Sequence, residues 1–152
     1  MLTDFSCGVI PYRVVEGRRE FLLIQHKAGH WAFPKGHPED AEEHADTARR
    51  ELEEETGLGH VELDESHPFE EAYTFTKRSG RQVSKRVVYF LGRVEPGQSI
   101  RPQLSEVADG SLLISELMRA SESELLVLSG LLSAEPPPFL TMMFAILVRC
   151  PM

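Results

Sequence analysis

The chain has 152 residues, 41% of them hydrophobic and 26% charged, and a formal net charge of -8 at pH 7. This length fits one domain with a real buried core, and the composition is ordinary for a globular protein. Because an acidic chain repels polyanions at long range, extended nucleic-acid binding is excluded as a main function, and a phosphate-bearing ligand needs a cation or a local basic patch.

The first part of the chain is predicted to form two strands and a loop. Ser6–Val15 and Phe21–His26 are apolar runs that Gly17 and its charged neighbours separate, which indicates a strand, a turn and a second strand. Residues Lys27–Pro38 are rich in glycine, proline and histidine, which is typical of a loop.

The clearest helix is predicted over Asp40–Thr56. Three small or apolar residues recur at helical spacing on one stripe, namely Ala45, Ala48 and Leu52. The alanines in this stripe indicate close packing on a sheet. Asp40 can cap the start of the helix, and Gly57 stands where a C-cap glycine belongs.

More strands and a second helix are predicted after this point. Val61–Leu63 is a short strand, and Glu70–Thr76 and Arg86–Val94 form a strand pair joined by a polar loop that contains Ser79 and Gly80. Leu112–Leu132 has apolar spacing suited to a helix. Strands that alternate with two helices predict an α/β or α+β sandwich, formed by a single domain over residues 1–152.

The remaining features concern cellular location and assembly. Cys7 and Cys150 lie near opposite ends of the chain without metal-ligand spacing, which predicts free thiols in a reducing cytoplasm. The N-terminus lacks a basic-then-apolar signal segment, which also favours a cytoplasmic protein. Phe139–Val148 is apolar but roughly half as long as a membrane span, so we expect a packing segment, at a subunit contact if the chain is a homodimer rather than a monomer. A membrane anchor is the less favoured alternative.

The candidate chemical centre is a group of glutamates in the predicted helix. Glu51, Glu54 and Glu55 stand at positions i, i+3 and i+4 and therefore share one helix face. This arrangement is unfavourable, because the three carboxylates repel one another. A divalent cation removes the conflict, since Mg²⁺ takes carboxylate oxygens and keeps several water ligands. A solvated acidic face is the alternative interpretation.

Two features favour the metal site over the solvated face. The glutamates stand at the end of the helix before Gly57, where the helix dipole disfavours anions. Arg50 precedes Glu54 by four residues, so it can pair with that carboxylate and orient it.

The spacing of these residues then becomes specific. The pattern G-x5-E-x7-R-E-U-x-E-E-x-G-U, in which U is a bulky aliphatic residue, is matched in full by Gly36, Glu42, Arg50, Glu51, Leu52, Glu54, Glu55, Gly57 and Leu58. This pattern resembles the Nudix box. The resemblance implies a Nudix hydrolase with an α/β/α sandwich, a mixed sheet between helices, that acts on a nucleoside diphosphate linked to another group.

The resemblance also implies roles for individual residues. The ligands of Mg²⁺, or of Mn²⁺ in its place, would be Glu51, Glu54 and Glu55. Arg50 would hold a glutamate by a salt bridge, and Glu42 would stabilise the geometry between loop and helix. Gly36 would allow the turn that brings the loop backbone near the metal. Which glutamate acts as the general base stays open.

Flanking segments resemble particular substrate classes. The segment WAFPKGH (31–37) is similar to one in diadenosine tetraphosphate hydrolases, and also to one in diphosphoinositol polyphosphate and RNA 5′-pyrophosphate hydrolases. The resemblance implies that Lys35 contacts substrate phosphate and that His37 assists. The alternative for His37 is an ordinary surface histidine in a loop.

The strand KRVVYFL (85–91) resembles one in the tetraphosphate hydrolases, in which Lys85 and an aromatic residue would contact substrate. Tyr89 or Phe90 would stack on an adenine ring, and strand alternation allows only one of them to do so. Tyr73 and Phe75 share a face and are candidates for the same pocket. Core packing is the alternative for each aromatic residue.

Two further features bear on the substrate. Five cations cluster around the loop between the last two strands, namely Lys77, Arg78, Arg81, Lys85 and Arg86. They form either a solvated loop or a binding surface for distal phosphates. The segment LSE (104–106) resembles the L-S-x-E loop of the tetraphosphate hydrolases, which implies a further metal-site glutamate at Glu106. Here the glutamate follows the serine directly, and the aromatic-Trp pair of that family is absent.

We therefore expect Mg²⁺-dependent hydrolysis of a small-molecule dinucleoside polyphosphate such as diadenosine tetraphosphate, without nucleic-acid or membrane partners. Hydrolysis of RNA 5′-pyrophosphate or of diphosphoinositol polyphosphates is the second hypothesis. The third is a nucleotide sensor without catalytic activity.

Overall fold

The protein is described by a computed structural model, which covers residues 1–25 and 31–101. Its strands are β1 (Leu2–Val15), β2 (Arg18–Phe21), β3 (Ile24–Gln25), β4 (Trp31–Ala32), β5 (Lys35–Gly36), β6 (Val61–Thr76) and β7 (Gln82–Val94). The helix α1 spans His44–Thr56. The turn predicted at Gly17 separates β1 from β2, and Gly17 has the left-handed backbone (φ 76°) that glycine adopts readily.

The main sheet is mixed, as predicted. Its strand order is β2-β1-β7-β6, and the short β5 pairs with another part of β1. The two central strands, β1 and β7, run parallel from the pair Leu2 and Val83 to the pair Tyr12 and Arg93. The other pairs of this sheet are antiparallel. A parallel central pair joins residues that are far apart in sequence, and this pairing builds much of the site described below.

One cluster of core residues lies between α1 and one face of the sheet. The predicted helix stripe is confirmed, because its three members are buried in one cluster with residues of the central strands, namely Ala45, Ala48, Leu52, Cys7, Val9, Val88 and Phe90. Burying one such leucine contributes about 2 kcal/mol of transfer free energy. Cys7 is a free thiol in this cluster, and burial raises its pKa to about 11, so it is protonated at neutral pH.

The start of α1 differs from the prediction. The helix begins at His44, with Glu43 in the N-cap position, so the prediction that Asp40 caps it is wrong. The reason is that Ala41 adopts a left-handed backbone (φ 56°), which interrupts a continuous helix. The predicted C-cap is confirmed: Gly57 has φ 80°, and its N–H donates to the carbonyl of Glu53 at 2.8 Å.

The two strands predicted at Val61–Leu63 and Glu70–Thr76 are parts of one strand, β6. A register shift between Asp64 and Phe69 divides its pairing with β7 into two stretches. Pro68 lies inside this shift, where its missing N–H costs no ladder hydrogen bond. The predicted polar loop follows β6, and its turn is closed by the N–H of Gly80 donating to the carbonyl of Lys77 at 2.9 Å.

Several predictions fall outside the described residues: Leu112–Leu132, Phe139–Val148, Glu106 and Cys150. The second helix layer of the predicted sandwich therefore stays a prediction. Among residues 1–25 and 31–101, no helix has both the length and the apolar character that a membrane crossing requires.

Candidate active site

The guanidinium of Arg50, near the middle of α1, is the centre of the site. Its Nε and Nη2 donate to the two carboxylate oxygens of Glu42 at 2.9 and 3.1 Å, which is a bidentate pair. Its Nη1 donates to Glu51 at 3.0 Å and to Glu54 at 3.1 Å, so the predicted pairing with Glu54 is present. Nη2 also donates to the carbonyl of His37 at 2.9 Å. One cation thus joins the loop before α1 to the glutamates on α1.

Glu42 anchors this loop from the other side. Its Oε1 accepts the backbone N–H of Glu39 at 3.1 Å and the hydroxyl of Thr47 at 2.6 Å, in addition to the Arg50 pair. The Arg50 hydrogen bonds, followed by those from Thr47 and Glu39, lower the pKa of Glu42 to about 2. The Glu42 carboxylate in turn raises the pKa of Arg50. This geometry agrees with the stabilising role that was predicted for Glu42.

The depressed pKa of Glu42 predicts a loss of stability in acid. The folded value is about 2 and the ordinary value is 4.5, so ionised Glu42 stabilises the fold above about pH 5, and this contribution is lost as the pH falls toward about 2. Glu42→Gln removes the titrating group, so we expect the difference in urea midpoint between wild type and variant to shrink over that window. Equal differences at pH 6 and pH 3 would contradict the prediction.

The three box glutamates lie at different depths on one side of α1. The side chain of Glu54 is 50% exposed, that of Glu51 is 12% exposed, and Glu55 is buried. Glu55 accepts the backbone N–H of Lys35 at 3.2 Å, and the carboxylate of Glu51 lies against Gly36. The glutamate face of the helix therefore packs directly on β5.

The donor set of this face suits a hard divalent cation. Carboxylate oxygens are the side-chain ligands that Mg²⁺ prefers, and the Glu51 carboxylate can lie against β5 because Gly36 has no side chain. Within the described ranges, no three acidic, histidine or cysteine side chains are already gathered around one point. Arg50 instead pairs with the carboxylates of Glu51 and Glu54. A cation bound here would contact the same two carboxylates as the Arg50 guanidinium.

Gly36 offers a direct test of this packing. A Cβ at this position would overlap the Glu51 carboxylate, which is the far end of a long side chain and can be displaced by a change of rotamer. We therefore expect Gly36→Ala to change the unfolding free energy by less than about 1 kcal/mol but to lower kcat by roughly 100-fold, because the carboxylate is displaced. Gly59→Ala is the matched control, since its Cβ would meet Glu53 at an ordinary 3.4 Å. Wild-type kcat in Gly36→Ala would show that the position of Glu51 does not matter.

The opposite face of the sheet carries a polar cluster around Lys85. Its ammonium donates to Asp4 at 2.8 Å and to Ser6 at 2.6 Å, and the residue is only 6% exposed. The other oxygen of Asp4 contacts Nε2 of His37 at 2.7 Å. Lys85, which was predicted to contact substrate, is thus largely buried and paired with Asp4 and Ser6. Asp4 and Ser6 had no signal in the sequence, since the contacts form only when β1 and β7 pair.

Lys35 and Glu71 lie on this same face. Burial lowers the pKa of Lys35, and the nearby carboxylate of Glu71 opposes that change. Burial likewise raises the pKa of Glu71, against the effect of Lys35. Strand alternation could have identified Glu71 from the sequence, because it has the same parity as Tyr73 and Phe75.

The predicted aromatic residues separate into buried and exposed rings. Tyr89 is 2% exposed and packs edge-on against Phe33 at 5.9 Å between ring centroids, and Phe90 lies in the core under α1. As predicted, strand alternation places these two rings on opposite faces of the sheet. Neither ring has the exposed surface that stacking by a base requires. Tyr73 and Phe75 are more accessible, with centroids 6.1 Å apart and Phe75 39% exposed.

The predicted basic hairpin is also divided by the fold. Lys77, Arg78 and Arg81 are exposed at its tip. Lys85 is buried in the polar cluster, whereas Arg86 pairs with Glu70 and lies 5.4 Å from the ring of Phe5. The three tip residues are therefore exposed cations separate from the polar cluster around Lys85.

Comparisons with known proteins agree with this architecture. Residues 7–125 match the model of the NUDIX domain. The asymmetrical bis(5′-nucleosyl)-tetraphosphatase of Mus musculus is 35% identical over 98 residues, which are 59% of this chain and 65% of that protein. The protein of the same name from Caenorhabditis elegans is 37% identical over 60 residues, which are 38% of this chain and 44% of that protein.

Solved structures show the same fold. A binary complex of C. elegans Ap4A hydrolase superimposes with a TM-score of 0.71 at 23% identity, over 95% of this chain and 98% of that chain. A MutT/nudix family protein from Enterococcus faecalis gives a TM-score of 0.53 at 20% identity, over 70% of this chain and 42% of that chain. The match to the murine protein spans 65% of that protein's length.

Proposed function

The chain belongs to the NUDIX domain family, and we propose that it hydrolyses a phosphoanhydride bond in a dinucleoside polyphosphate such as diadenosine tetraphosphate. The observation that carries this proposal is the Arg50 network, which holds Glu42, Glu51 and Glu54 beside β5. The substrate class is supported by the relatives at 35% identity, which are named as tetraphosphatases. The products would be a nucleoside triphosphate and a nucleoside monophosphate.

The cation we propose is Mg²⁺, with Mn²⁺ as an alternative, held by carboxylates of Glu51, Glu54 and Glu55. When bound, such a cation neutralises phosphate charge and lowers the pKa of a coordinated water. Glu106, which lies outside the described residues, is proposed as a further carboxylate of this site. Arg50 keeps Glu51 and Glu54 in place, and the Lys35 N–H holds Glu55.

The proton of the attacking water goes to a carboxylate of the chain. Glu54 is the most exposed of the box glutamates, and this exposure supports the proposal that it accepts a proton from water as the new bond to phosphorus forms. The bond from that phosphorus to the bridging oxygen then breaks. Glu55 is buried against β5 and is better suited to hold position than to exchange protons with solvent.

The polyphosphate chain would cross the edge of the sheet at β5. Adjacent residues of this strand face opposite sides of the sheet. Gly36 faces the Glu51 carboxylate, and Lys35 packs near Gly8 on the other face. Lys35, His37 and Lys85 would contact phosphates there. Tyr73 and Phe75 have exposed ring surface for a base, and the tip residues Lys77, Arg78 and Arg81 would meet distal phosphates.

A substrate panel tests this proposal. The protein is incubated with Mg²⁺ and diadenosine polyphosphates, triphosphorylated and capped RNA, diphosphoinositol phosphates and nucleoside triphosphates, and the products are identified. We expect ATP and AMP from diadenosine tetraphosphate as the most efficient reaction. Preference for RNA ends or diphosphoinositol phosphates would replace this substrate, and nucleotide binding without turnover would indicate a sensor. The same reaction in H₂¹⁸O identifies the phosphorus that water attacks.

A further inference from the structure

Asp4 connects two strands and a loop on the face of the sheet that carries Lys35. Its Oδ2 accepts from the ammonium of Lys85 at 2.8 Å, and its Oδ1 lies 2.7 Å from Nε2 of His37. Asp4 and Lys85 are also direct partners in the parallel pairing of β1 with β7. The Asp4 carboxylate therefore fixes the positions of two side chains, Lys85 and His37.

The Lys85 ammonium uses two of its three hydrogen-bond donors within the protein and keeps the third. An ammonium group has three N–H donors, and Asp4 and Ser6 accept two of them. The residue is 6% exposed, so its stem is immobilised by packing and its head by these two bonds. A lysine ordered in this way would lose little conformational freedom on binding an anion.

We propose that Asp4 is a positioning residue for the polyphosphate, which acts by holding Lys85 and His37 at fixed places on this face. The inference rests on the proposed function, and it deepens it by assigning a part to a residue outside the box and outside the flanking motifs. The side chain of Asp4 is 28% exposed, so the carboxylate borders the open face instead of lying in the core. Burial raises its pKa, but the hydrogen bonds from Lys85 and His37 outweigh burial and leave the pKa below its ordinary value.

Two properties separate this role from a purely structural one. A structural brace would affect folding and kcat alike, whereas a positioning residue for substrate affects KM first. Its effect must also depend on the residue through which it acts. If Asp4 works mainly through Lys85, removing Lys85 makes the further loss of Asp4 nearly silent.

The test is a double-mutant cycle with diadenosine tetraphosphate as substrate. We expect Asp4→Ala to raise KM roughly tenfold with kcat within about threefold of wild type. The KM of Asp4→Asn should lie between those of wild type and Asp4→Ala, because its amide oxygen can still accept a hydrogen bond from Lys85. Lys85→Met should raise KM similarly, and the double variant should resemble Lys85→Met. Glu20→Ala is the matched control, because it breaks an ion pair of the same 2.8 Å length, with Arg13 at the far end of β1.

A binding measurement separates failure of this inference from failure of the proposed function. ATP binding in the presence of Mg²⁺ is measured by calorimetry for wild type, Asp4→Ala and Glu20→Ala. A Kd raised roughly tenfold in Asp4→Ala alone supports the positioning role whether or not diadenosine tetraphosphate is hydrolysed. Wild-type KM and Kd in a folded Asp4→Ala would overturn it, as would additive effects in the cycle or no ATP binding by the wild type.

Discussion

Glu55→Gln is expected to lower kcat by roughly 10³-fold while the domain stays folded. Glu55 is 2% exposed and accepts the N–H of Lys35 at 3.2 Å. Glutamine has almost the same shape, and its amide oxygen can accept the same hydrogen bond, so the packing against β5 is kept. The negative charge that the proposed cation needs is lost. Steady-state kinetics with Mg²⁺ and far-UV circular dichroism measure the two properties separately.

Glu53→Gln provides the control for this experiment, because Glu53 belongs to the same run of three glutamates but is exposed and faces Gly59. Its kcat should stay within about twofold of wild type, as is usual for a surface substitution away from the site. The kcat of Glu54→Gln should fall as the kcat of Glu55→Gln does. If both of these variants turned over substrate at the wild-type rate, the assignment of a metal site to this helix face would be wrong.

Arg50→Ala is expected to affect stability and activity together. It removes the bidentate partner of Glu42 and the shared partner of Glu51 and Glu54, which then repel one another. The side chain of Arg50 is 22% exposed, so solvent screens part of these interactions. We expect a loss of about 1–3 kcal/mol in unfolding free energy, measured by urea denaturation. We also expect kcat/KM to fall by at least roughly 100-fold, since the carboxylates lose their fixed orientation.

Two companion variants make this prediction specific. Arg49→Ala changes the neighbouring arginine, whose pairs with Asp46 and Glu65 are exposed and measure 3.7 and 3.4 Å, so its loss should cost less than about 0.5 kcal/mol. Arg50→Lys keeps the charge but cannot form the bidentate pair with Glu42, so it should rescue only part of the activity. An Arg50→Lys variant with wild-type stability and kcat/KM would show that charge alone suffices.

Much of the fold follows from local patterns that were visible in the chain. The apolar stripe of α1 and the C-cap at Gly57 are as predicted, because helical spacing and a left-handed glycine are local properties. The turn at Gly17 and the loop at Gly80 follow for the same reason. The predicted start of the helix was wrong because Ala41 has a left-handed backbone, and Glu42 lies before the helix, bonded to Arg50 and Thr47.

The strand predictions failed where pairing, not composition, determines the element. Val61–Leu63 and Glu70–Thr76 looked separate because polar residues and Pro68 lie between them. Both stretches nevertheless pair with β7, and the register shift between Asp64 and Phe69 accommodates the polar residues. A β-bulge of this kind depends on the partner strand, so the sequence of β6 alone does not reveal it.

The sequence by itself determined the glutamate helix, because the spacing from Gly36 to Leu58 places Arg50 and the box glutamates on one helix face by local geometry alone. The tertiary structure alone decided which predicted substrate contacts are accessible. Lys85 and Tyr89 are buried, and Asp4 contacts Lys85, because β1 and β7 pair in parallel and bring residues 81 positions apart within hydrogen-bond distance. Long-range strand register has no signature in a single sequence, whereas helical spacing does.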